Sequence, residues 1–215
     1  MSVLPLTALA ARGVQFKVLS QIFPVLRHEV VGPLSNATLA AAMLRQSPDG
    51  ANAEALQQRC HRLAGDLTGM LDDSVNVVRE LDQWLADNGA ITSTEDLLRD
   101  CRKLMFSHLL LSRHSIIWPE DVAAVQLPQF SSRYLLLAWL LCLLRELPAD
   151  AGLTLDFSQA GVWRARFPEG QAASAGAGQA DVFDLQEVEL LAAASGWRLE
   201  RQAQCWSLHA PAHPL

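Results

Sequence analysis

Between residues 14 and 46, apolar or small residues recur at Leu19, Phe23, Leu26, Val30, Pro33, Ala37, Ala40 and Leu44. The alternating steps of four and three are the spacing of a coiled-coil seam and predict one long helix. "SPDG" at 47–50 supplies the turn residues that end it. A second run, from about 51 to 87, repeats the spacing through Leu56, Cys60, Leu63, Leu67, Met70, Ser74, Val77, Leu81 and Trp84. Two helices of about 35 residues joined by a short turn make an antiparallel hairpin about 50 Å long. Such a hairpin leaves apolar surface uncovered, and pairing with a second copy into a four-helix bundle is the usual solution. A homodimer is therefore expected.

The texture changes after "ADNGAITS" at 86–93, where Gly89 is a candidate helix cap. "STEDLLRDCRKLMFSHLLL" opens with Ser93 followed by Asp96, a capping signature, and predicts a helix. "RYLLLAWLLCLLREL" predicts a buried helix. "GLTLDFS" and "GVWRARFP" predict neighbouring strands, with Val162, Arg164 and Arg166 alternating against Trp163, Ala165 and Phe167. Residues 169–181, "EGQAASAGAGQAD", predict a loop. "DLQEVELLAAASG" predicts a helix ended by Gly196, and "WRLERQAQCWSLHAP" a closing hairpin. The expected fold class is α+β, with a helical hairpin over 14–88 and a small α/β-sandwich domain over 93–215.

Composition narrows the function classes. Of 215 residues, 50% are hydrophobic, enough for a sizeable core, and the net charge is -6. That balance excludes a nonspecific nucleic-acid binder, which needs a basic face. Cys60, Cys101, Cys142 and Cys205 are scattered without a CxxC pair. They fit reduced, mostly buried thiols better than a zinc site or a secreted disulfide framework. The N-terminal stretch lacks a basic region and is interrupted by Pro5 and Arg12, so no signal peptide is expected. The most apolar run, residues 134–144, is too short to span a bilayer. A cytoplasmic protein with no membrane partner is expected.

The six histidines fall in no metal-binding spacing, so no metal site is expected. His28 stands out by its place in the heptad. With Leu26 and Val30 on the seam, His28 falls on the outermost position, between Arg27 and Glu29. One reading is a solvated surface histidine beside ordinary charges. The other is an exposed imidazole nucleophile, with Glu29 fixing its tautomer or taking its proton. Gly32 and Pro33 follow within a turn and Pro24 precedes by a turn. In a helix interior glycine costs about 1 kcal/mol and proline about 3, and a bend is expected at Pro33.

"HEVVGPL" at 28–34 resembles the phosphoacceptor box of sensor histidine kinases. The hairpin around it resembles their dimerisation and histidine-phosphotransfer domain. The second half resembles their ATP-binding domain in the order of its elements, so the resemblance covers about residues 14–211. It implies that His28 is the phosphorylated histidine, Glu29 the assisting acid and Pro33 the kink proline. Gly32 stands where the family carries Thr or Asn, a residue implicated in dephosphorylating the partner. Cys142 or Leu143 stands where the family's Mg²⁺-binding Asn sits, and the two glycine boxes are replaced. The resemblance therefore implies a degenerate ATP-binding domain, closest in kind to bacterial phosphorelay histidine phosphotransferases. Its partners would be response-regulator receiver domains, docking around Arg27, Val31, Gly32 and Ser35. No cofactor is expected, the receiver supplying Mg²⁺. The alternatives are an ATP-dependent histidine kinase with a diverged nucleotide site, or a non-catalytic pseudo-kinase dimer that binds and inhibits a regulator or kinase.

Overall fold

A computed structural model describes residues 6–45, 53–148, 150–168 and 183–211. The turn expected at 47–50 and the loop expected at 169–181 lie outside the described residues. The architecture is α+β, a long helical hairpin followed by a small sheet domain. The chain forms two compact units, one spanning Phe23–Ala86 and the other taking residues up to Ile22 together with those from Asp87 onward. The division falls inside the first helix.

In the hairpin unit, α1 (Leu6–Arg45) continues from Phe23, and α2 runs Ala53–Leu85. The Arg59 guanidinium of α2 donates to the Met43 carbonyl of α1 at 3.2 Å. In α2 the predicted seam is the protected stripe: Leu56, Leu63, Leu67, Met70, Val77 and Leu81 are half-buried, and Ser74 and Trp84 buried. Cys60 departs from it and is exposed; Arg59, one residue back, takes the protected place. In α1 the seam holds from Leu26 through Val30, Pro33, Ala37, Ala40 and Leu44, with Leu26, Ala37 and Ala40 buried.

Upstream of Leu26 the expected stripe is replaced. Ala11, Val14, Val18 and Ile22 are buried, whereas Leu19 is half-buried and Phe23 is 51% exposed. Steps of three, four, four and four drift around the helix relative to a strict heptad. The cause is a different neighbour: this part of α1 packs within the sheet unit, where the His108 ring donates to the Gln21 carbonyl at 3.2 Å.

The sheet unit adds β1 (Ile91–Ser93), α3 (Thr94–Ser112), β2 (Ser115–Ile117), β3 (Gln126–Pro128), α4 (Gln129–Glu146), β4 (Gly152–Asp156), β5 (Val162–Arg166), α5 (Leu185–Ala194), β6 (Arg198–Gln202) and β7 (Cys205–His209). The main sheet has the order β2-β4-β5-β7-β6, with β2 parallel to β4 and the other pairs antiparallel. β1 and β3 form a separate antiparallel ribbon. It anchors two helix starts: Thr94 N–H donates to Val125 at 3.0 Å and Gln129 N–H to Ala90 at 2.8 Å. As predicted, the Ser93 side chain caps α3 by accepting from the Asp96 N–H at 3.0 Å.

Alternation places Leu153, Leu155, Trp163, Ala165, Trp206 and Leu208 in the core. Between them on these strands Thr154 and Arg166 are exposed and Asp156, Arg164 and Ser207 half-buried. Asp156 accepts from Arg166 at 3.0 Å, and hydrogen bonds from Ser158 hold its carboxyl below the usual range. Trp163 stacks with Phe157 at 5.5 Å between centroids and meets Trp197 at 4.1 Å. Aromatic contacts of this kind add about 0.5–1.5 kcal/mol to their burial. α4 is buried nearly all round, from Ser132 to Leu140 and again from Cys142 to Leu144. A helix apolar on every side belongs in a core.

The four thiols should differ in reactivity. Cys101 and Cys142 are buried, and burial pushes both thiols up, Cys142 to about 12. Iodoacetamide at mildly alkaline pH should alkylate Cys60 first and leave Cys101 and Cys142 unmodified until denaturant is added, read by peptide mass spectrometry. Early alkylation of Cys142 in the native protein would contradict this packing.

Candidate functional site

The residues singled out at 27–35 all lie on α1 within the hairpin unit. Arg27, His28 and Ser35 are exposed, Val31 is 49% exposed, and Glu29 and Gly32 are half-buried. His28, Val31 and Ser35 are separated by three and four residues, so they share one helix face. Because Leu26, Val30 and Pro33 occupy the protected stripe, His28 is not needed for packing.

Pro24 and Pro33 both lie inside α1, whose helical assignment runs unbroken through Gly32 and Pro33. Pro33 has no N–H to give the Glu29 carbonyl four residues back, so the ladder loses one rung beside His28. Nothing lies within 4 Å of where a Gly32 side chain would begin. The glycine is therefore not imposed by a close neighbour in the chain, and it leaves an open notch one turn beyond His28. An imidazole on such a face can act as a nucleophile toward an electrophile brought by a partner, and the adjacent carboxylate can orient it or take its proton.

The position that the resemblance singles out for a Mg²⁺ ligand lies on α4. Cys142 and Leu143 are each 0% exposed in the core of α4. A leucine and a neutral thiol are poor ligands for Mg²⁺, which demands oxygen donors. Among the described residues no group of three or more His, Cys, Asp or Glu side chains is arranged to hold a metal ion. Among them, too, no helix is long and apolar enough to cross a membrane.

Sequence reasoning missed one constellation, at the start of α5. Lys17 meets Glu187 there, and Arg145 donates to the Phe183 carbonyl at 3.1 Å. The Asp184 and Glu187 spacing is a legible capping box, but nothing in the sequence pairs residue 17 with residue 187.

No family model matches the chain, and no curated protein matches it. Solved structures do. The Acinetobacter baumannii histidine kinase AdeS aligns over 86% of this chain and 98% of its own, at 12% identity and a TM-score of 0.42. The cytoplasmic segment of the histidine kinase QseC aligns over 64% of this chain and 94% of its own, at 15% identity and 0.43. The histidine kinase ThkA, in complex with the response regulator protein TrrA, aligns over 100% of this chain and 69% of its own, at 11% identity and 0.39. At these values the likeness assigns no reaction, partner or ligand to this chain.

Gly32→Ala should stabilise the hairpin by about 0.5–1 kcal/mol, since alanine restricts the unfolded chain and meets open space. Urea unfolding should show a higher midpoint at unchanged slope. An unchanged or lower midpoint would mean that the glycine is required by packing.

Proposed function

We propose that this chain is a two-component signalling protein of the histidine-kinase type, with His28 as the residue that carries a phosphoryl group. The observation behind this reading is an exposed histidine, with a glutamate next to it, on a helix whose packing stripe is filled by other residues. A receiver domain docks around Arg27, Val31, Gly32 and Ser35. The His28 ring nitrogen attacks the phosphorus of the receiver's aspartyl phosphate. The bond from phosphorus to the carboxylate oxygen breaks, and aspartate leaves as the carboxylate. Glu29 holds the tautomer or takes the proton from the opposite ring nitrogen. Mg²⁺ enters with the receiver, whose electrostatics stabilise the transferring group. This chain contributes position, a nucleophile on a rigid helix.

Two finer readings share this site. In one the chain is an ATP-dependent histidine kinase with a diverged nucleotide site, the activity in the names of the similar structures. In the other it is a phosphotransferase that moves phosphate between receiver aspartates and binds no nucleotide. The burial of Cys142 and Leu143 supports the second. Incubation with radiolabelled Mg-ATP, and separately with a labelled phospho-receiver, separates them. Label taken from the receiver by the wild type and not by His28→Gln is the expected result. Label taken from ATP alone would establish the kinase. No label from either source, with receiver binding retained, would replace both with a non-catalytic pairing.

A homodimer completes this reading. Leu71, Val75 and Val78 are 44%, 47% and 50% exposed on α2, one residue beyond the protected seam, and Leu34 and Met43 are 42% and 41% exposed on α1. A second copy would cover such a stripe in a four-helix bundle. Val75→Glu with Val78→Glu should shift sedimentation from dimer to monomer at micromolar concentration, because a buried unpaired charge is costly. A wild-type monomer under the same conditions would contradict the dimer.

A further inference from the structure

The first turn of α5 is closed by its own carboxylates. Asp184 accepts from the Glu187 N–H at 2.9 Å, and Glu187 accepts from the Asp184 N–H at 2.9 Å. Both charges suit the positive end of a helix dipole. The Glu187 carboxylate also has a partner 170 positions away, for Lys17 Nζ donates to both of its oxygens at 2.8 Å. The same ammonium lies 4.9 Å from the centroid of the Phe183 ring. Phe183 is buried, and the two charged side chains are only 25% and 22% exposed. On the helix around Lys17, Ala11, Val14, Val18 and Ile22 are buried, and all but Ile22 are small or short.

We propose that Glu187 and Phe183 form an ammonium receptor that Lys17 fills, latching residues 6–22 of α1 onto the sheet domain as a strap that opens as one unit. Glu187 belongs both to the latch and to the helix cap, so opening the strap loosens the first turn of α5 as well. A carboxylate and an aromatic face together suit a primary ammonium group. A docked segment held by a few apolar side chains, the His108–Gln21 hydrogen bond and the charge-assisted Lys17–Glu187 contact is the kind that opens below the global unfolding free energy. His28 lies eleven residues further along the same helix (28 less 17), so the strap holds one end of the helix that bears the candidate phosphoacceptor. The latch itself does not depend on that role for His28.

Hydrogen exchange with mass spectrometry on the full chain tests this. Lys17→Met removes the ammonium, and Glu187→Gln removes the charge while keeping an acceptor for the Asp184 N–H. Both should speed exchange about tenfold over 6–22 and 183–190, as loss of a charged hydrogen bond predicts, and leave 53–85 unchanged. Lys17→Arg should stay near wild type. Unchanged exchange over 6–22, loosening of 6–22 without 183–190, or equal acceleration throughout the chain including α4 would each overturn the proposal.

Discussion

One helix has to satisfy two burial patterns. Along α1 the protected residues are Ala11, Val14, Val18 and Ile22 in the sheet unit, then Leu26, Val30, Pro33, Ala37, Ala40 and Leu44 in the hairpin unit. An α-helix at 3.6 residues per turn keeps a stripe in line with a coiled-coil partner only if apolar residues recur every 3.5 on average. Steps of four from Val14 to Leu26 move the stripe around the helix instead. The helix thereby serves a different neighbour in each unit without a break in its backbone, and neither stripe claims Arg27 or His28.

That division explains how polar groups can sit in an apolar stretch. "VLRHEVVGPL" reads as a core helix with misplaced charges only while every residue is assumed to pack. Leu26 and Val30 carry the packing, while Arg27 and His28 face water. Gly32 and Pro33 each lower helix stability, by about 1 and about 3 kcal/mol in a helix interior. The glycine is not demanded by a tight neighbour, since a side chain at Gly32 would meet open space. A backbone made locally costlier beside an exposed histidine is the pattern expected where function outweighs stability.

Much of this was legible in the sequence because it is written in local periodicity. The α2 seam, the Ser93 cap, the buried α4 and the β4–β5 and β6–β7 pairs all rest on residues close in the chain. Three features were not. β1, β2 and β3 are three residues each, too short for alternation to show, and β2 finds its parallel partner β4 some 35 residues on. In the first turns of α1 the heptad spacing points to Leu19 and Phe23, whereas packing in the sheet unit buries Val18 and Ile22 instead. The pairing of Lys17 with Glu187 joins positions whose proximity no spacing rule encodes. For the candidate site, the exposure of His28 followed from its heptad position, whereas its chemistry rests on the resemblance of a seven-residue box.

The most direct test is to locate the phosphoryl group. The protein would be isolated at alkaline pH from cells with its signalling partners active, digested without acid, and sequenced by tandem mass spectrometry. The account predicts one added phosphoryl mass on the peptide containing residues 28–34, assigned to His28, stable to base and lost in acid. A phosphoryl group on another residue, or none at His28 while the partner regulator is phosphorylated through this protein, would contradict it.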